Sequence, residues 1–130
     1  MGAGQDRRFP IRFDGWYEPL SSLFFLPPES AFVEVTDDEV VARMGWAFLA
    51  RFPRAAVASA SPMEKWVASR GVHGWAGRWL VNGSAAGLLA IRLVPGQEAR
   101  VMGLAVSLRE LIVSVEDPAA LSAAVSTSAS

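Results

Sequence analysis

The side chains that could do chemistry gather in one short stretch, Gly71-Val-His-Gly-Trp-Ala-Gly-Arg-Trp-Leu-Val-Asn-Gly-Ser84. It carries the single histidine of the chain, His73, together with Trp75, Arg78 and Trp79. An imidazole titrates near neutral pH and acts as a base when a carboxylate or nucleophile lies within hydrogen-bond reach. Glu110 and Asp14 are the carboxylates that could complete such a relay, but no sequence spacing sets either beside His73. The histidine is therefore expected to be structural. Glycines 71, 74 and 77 would cradle a phosphate if they opened a helix, whereas here they lead into strand-like sequence. They read as loop and bulge geometry. The chain has no cysteine, which excludes thiol nucleophiles, disulfides, Cys-zinc sites and iron–sulfur clusters. No catalytic residue, metal or cofactor is expected. His73, Trp75, Arg78 and Trp79, with Trp46 from elsewhere in the chain, are the candidates for contact with a ligand or partner.

The elements that must position them are strands. Asn82-Gly83 is the strongest hairpin signal, because a two-residue type I′ turn needs positive φ at both central residues. It predicts a strand on each side, with Val81 opposite Ser84 and Trp79 opposite Ala86. Trp79 and Val81 would share one face, and Arg78 and Leu80 the other.

Period-two patterns recur along the chain. Phe9, Ile11 and Phe13 alternate with Pro10 and Arg12, which suits a short edge strand. Ala31 to Thr36 and Val40 to Met44 read as strands about an Asp37-Asp38 turn, and Ala47 to Phe52 follows a Gly45-Trp46 turn. A two-residue turn there puts Val41, Arg43, Phe48, Ala50 and Phe52 on one face. Val40, Ala42, Met44, Ala47, Leu49 and Arg51 take the other. Both faces are fairly apolar, as for strands covered on both sides or at an oligomer interface. Ala55 to Ala60 and Leu88 to Val94 are further strands, the latter closed by a Pro95-Gly96 turn. Ala99 to Val106 and Leu108 to Val115 complete the set. Asp117 is placed to cap a helix with Pro118 at its first position. Leu121 and Val125, four apart, would face the sheet. Between Trp16 and Pro28 an apolar segment predicts a helical turn from Pro19 to about Phe24, which would plug one end of the core.

The 130 residues suit one domain, and 52% hydrophobic content can fill its core. The expected organisation is a disordered stretch over 1–8, a single domain over 9–125 and a disordered tail over 126–130. The net charge is −1, from 12 basic and 13 acidic residues. Nucleic-acid binding, which works through a basic excess, is not expected. No segment is long and apolar enough to span a bilayer, and the N-terminus lacks the apolar core of a signal peptide. A cytoplasmic location is expected.

Val40-Val-Ala-Arg-Met-Gly-Trp-Ala-Phe-Leu-Ala-Arg-Phe-Pro-Arg-Ala-Ala-Val-Ala-Ser59 resembles the early hairpin of bacterial pleckstrin-homology-like domains. Leu111-Ile-Val-Ser-Val-Glu-Asp-Pro-Ala-Ala-Leu121 is similar to their closing strand, Asp-Pro cap and helix. The resemblance covers roughly Ala31 to Val125. It implies a mainly β fold, a partly open antiparallel barrel of about seven strands with one C-terminal helix. It also implies a non-enzymatic module that binds a protein or peptide or associates with itself. Lipid-binding members cluster basic residues in the first hairpin loops, where this chain has Asp37-Asp38-Glu39, so phosphoinositide binding is not expected. The competing reading is a carrier of a small apolar ligand in a barrel pocket lined by Trp46, Trp75 and Trp79.

Overall fold

A computed structural model describes residues 7–12, 31–63, 71–82 and 86–126. Its strands are β1 (Arg7–Pro10), β2 (Ala31–Val35), β3 (Glu39–Met44), β4 (Phe48–Pro53), β5 (Val57–Met63), β6 (Gly71–Trp75), β7 (Arg78–Asn82), β8 (Leu88–Val101) and β9 (Leu104–Ser114). One helix follows, α1 (Pro118–Ser126). The strands join in a single curled sheet, an open half-barrel, in the order β1-β2-β3-β4-β8-β9-β7-β6, with β5 also on β8. The mainly β architecture with a closing helix agrees with the sequence expectation. Every ladder is antiparallel except β7 with β9, which is parallel. The apolar helical turn expected between Trp16 and Pro28 lies outside the described residues.

Alternation decides which side of each strand is dry. On β2, Ala31, Val33 and Val35 are buried while Phe32 and Glu34 are half-buried. β3 and β4 pair Val40 with Phe52, Ala42 with Ala50 and Met44 with Phe48, and all six are buried. This corrects the expected faces. The turn holds three residues, Gly45 to Ala47, and the Ala47 N–H donates to the Met44 carbonyl at 3.0 Å. One extra turn residue moves β4 by one position, and a one-residue shift exchanges its faces. The hairpin thus has one dry face, and its other face carries exposed Arg43 and Arg51. Burying a side chain such as Phe48 or Leu111 removes it wholly from water and stabilises by about 1.5–3 kcal/mol.

Two further turn expectations are corrected. β8 runs through Pro95-Gly96 without turning back. Pro95 has no N–H to give to a ladder, so pairing lapses there: Arg92 faces Glu110, Gln97 faces Leu108, and residues 93–96 bulge opposite Arg109. The reversal comes instead at Met102 and Gly103, with φ of 50° and 84°. Gly83 lies outside the described residues, but the pairing expected across Asn82-Gly83, with Trp79 opposite Ala86, is not the one found. β7 is paired by β6 on one side and β9 on the other, and the tight turn is Ala76-Gly77. Their φ values of 57° and 83° are those of a type I′ turn. Val81 is inward and Arg78 outward, on opposite faces as expected, because the side-chain period belongs to the strand and not to its partner.

The open side is stitched at one point. Ile11 bridges Val115, the Arg12 N–H donates to the Ser114 carbonyl at 2.8 Å, and buried Ser114 Oγ donates to the Arg12 carbonyl at 2.9 Å. Helix α1 packs against β5 through Leu121 and Val125, which are buried as expected. Asp117 Oδ1 accepts from the Ala120 N–H at 3.0 Å, the expected cap. At the other end Arg54 Nη2 donates to the Ala124 carbonyl at 2.7 Å, where a cation complements the helix dipole.

Candidate interaction groove

The parallel β7–β9 ladder has a chemical consequence. It sets Arg78 opposite Glu110, while the antiparallel β8–β9 ladder sets Arg92 opposite the same Glu110. An Arg–Glu–Arg row therefore crosses three neighbouring strands. Arg78 Nε meets Glu110 Oε1 at 2.7 Å, a charge-assisted contact between a largely exposed guanidinium and a half-buried carboxylate. Arg92 is exposed and makes no ion pair or hydrogen bond among the described residues.

The same row floors a groove of about 440 Å³. One wall is the Ala76-Gly77 turn and the other is the Leu93–Gly96 bulge. Arg109 joins them. Its N–H donates to the Gly77 carbonyl at 2.6 Å, as does the Glu110 N–H at 3.1 Å, and its Nη2 donates to the Ala76 carbonyl at 2.8 Å. A side chain at residue 77 would stand 2.9 Å from Arg109 Nε, so this clasp needs the glycine both for its φ and for its missing Cβ. Three arginines and one glutamate thus line the same groove, leaving a local excess of two positive charges on a chain whose net charge is −1.

Of the residues singled out in sequence, Arg78 lines this groove. Trp79 does not. It is half-buried against the core, its indole lies flat over Gly74, and its Nε1 donates to the Ser107 carbonyl at 3.2 Å. Any Cβ at Gly74 would enter that ring, so this glycine is a seat for tryptophan and not part of a ligand cradle. His73 and Trp75 occupy β6 opposite Leu80 and Arg78, and their side chains lie outside the described residues, as does Asp14. Trp46 sits on the β3–β4 turn, 55% exposed, and does not reach the groove. Sequence reading missed Arg92 and Arg109. Arg92 left a trace as the charge that ends an apolar run, and Arg109 beside Glu110 as a charged pair in a buried strand.

Among the described residues, no group of three or more His, Asp or Glu side chains could hold a metal, and no helix is long and apolar enough to cross a membrane. Comparison of the chain with protein-family models, curated proteins and solved structures finds no match to any of them.

Proposed function

We propose that this chain is a non-enzymatic interaction module that binds a protein or peptide partner in the Arg78–Glu110–Arg92 groove. The single observation carrying the reading is Arg92, an exposed guanidinium in a concave site without a partner among the described residues. Arginine in such a position suits planar, two-point recognition of an acidic group. Glu110, the described carboxylate that a His73 proton relay would use, already binds Arg78, which favours binding over catalysis. A pleckstrin-homology-like, cytoplasmic module goes with this reading. Its support is the curled sheet closed by one capped helix, and the parallel β7–β9 ladder is its point of departure. The apolar-carrier alternative draws less support, because Phe48, Phe52, Leu89, Leu108 and Leu111 fill the described interior.

The test is affinity capture on the wild-type chain and on Arg78→Glu/Arg92→Glu, with circular dichroism confirming an unchanged fold. A partner held by the first and lost by the second is expected. Light scattering on both proteins covers self-association by the same groove. A monomeric wild type that captures nothing the double variant does not also capture would sink the reading.

A further inference from the structure

We infer that the group the groove takes from its partner is a dianion, a phosphorylated side chain, rather than a single carboxylate. The inference rests on the reading of the groove as a protein-binding site. The charge arithmetic is local: Arg78, Arg92 and Arg109 contribute three positive charges and Glu110 removes one. A phosphoester carries about −1.5 to −2 at pH 7 and offers three acceptor oxygens, which matches that excess. A carboxylate, with one charge, would leave it half met.

The three arginines are not equivalent. Arg109 spends one Nη on the Ala76 carbonyl and is fixed by the turn it clasps. Arg78 is turned toward Glu110. Arg92 brings its full set of donors. Bidentate contact from Arg92, with Arg109 as a rigid second cation, is the geometry a phosphate monoester favours. Glu110 holds Arg78 back and repels an incoming anion. It acts as a resident competitor, setting a threshold that a dianion overcomes more readily than a carboxylate. Arg43 and Arg100 make an instructive contrast. Each donates to a carbonyl of its own hairpin turn, Gly45 at 3.4 Å and Gly103 at 3.2 Å, and neither lines the groove.

Fluorescence polarisation with the full chain tests this, using a degenerate phosphoserine peptide library, the same library with glutamate in that position, and inorganic phosphate as a competitor. Phosphoserine peptides are expected to bind at least about tenfold more tightly than glutamate peptides, the scale of one charge-assisted hydrogen bond. Their affinity falls steeply with added salt, because the site is exposed. Arg92→Gln should weaken binding about tenfold or more, and Glu110→Gln should strengthen it several-fold by releasing Arg78. Arg43→Gln should leave it unchanged. Equal binding of the two libraries overturns the dianion and leaves the module reading standing. Failure of both libraries to bind overturns the dianion, and the module reading falls with it only when affinity capture and light scattering are also negative. Inorganic phosphate that competes as tightly as the peptides overturns the peptide-borne source, and an Arg92→Gln variant with full affinity overturns the site.

Discussion

Leu104 and Leu111 lie seven residues apart on the same strand, β9, and mark two contrasting regions. Leu111 is completely buried beneath the arginine groove, whereas Leu104 is 72% exposed at the far end of the sheet. There the β3–β4 and β8–β9 turns lie side by side, joined by the Met102 N–H to the Ala47 carbonyl at 3.0 Å. They display Trp46, Met102 and Leu104 to solvent. One end of the molecule is therefore apolar and projecting, the other basic and concave. Both use an arginine to hold a tight turn. At the projecting end Arg43 and Arg100 clasp turns two or three residues away. At the groove Arg109 clasps a turn 33 residues away, on another hairpin. A local clasp closes a turn and makes nothing else. A long-range clasp ties two hairpins into one wall, and the space between them becomes a site.

The contrast can be broken from the core outward. Phe48→Ala, beneath the projecting turns, should cost about 3–5 kcal/mol in urea unfolding, and Leu111→Ala beneath the groove about 2–5 kcal/mol. Similar losses would mean that the ends differ only in surface chemistry over a shared core. A loss under 1 kcal/mol at Leu111, judged by the same scale, would mean that β9 is not packed as described. Gly77→Val should cost about 1–3 kcal/mol, since a branched residue must adopt φ near +83° against Arg109. That loss should be accompanied by weaker partner capture, because the turn is a groove wall. Asp117→Ala should cost about 1 kcal/mol through the lost cap and should leave capture untouched. Smallest of all, Leu104→Ser should change stability by less than about 0.5 kcal/mol. A larger effect at Leu104 would show that the projecting end is covered in solution.

The strands themselves were legible in the sequence. The alternations over Ala31–Val35 and Val40–Met44, and the inward pair Trp79 and Val81, follow from side chains that reverse direction at every residue. The helix start was equally legible, because Asp117 and Pro118 act on backbone groups only a few residues away. Turns were less so. Asn82-Gly83 carries the stronger local turn chemistry, yet the hairpin partner of β7 is β6 across Ala76-Gly77, and its other edge is taken by β9. A three-residue turn at Gly45–Ala47 in place of two was enough to exchange the faces of β4.

The sequence by itself therefore determined the class of fold, the residues that alternate inward on most strands and the capped helix, all consequences of local geometry that a short window contains. Tertiary structure alone decided that β7 lies parallel to β9, and with it that Arg78, Arg92 and Arg109 line one groove with Glu110. The physical reason is range. Side-chain alternation is a property of one strand, but the choice of a ladder partner is made by which edges remain open once the rest of the core has packed, and no stretch of neighbouring residues records that.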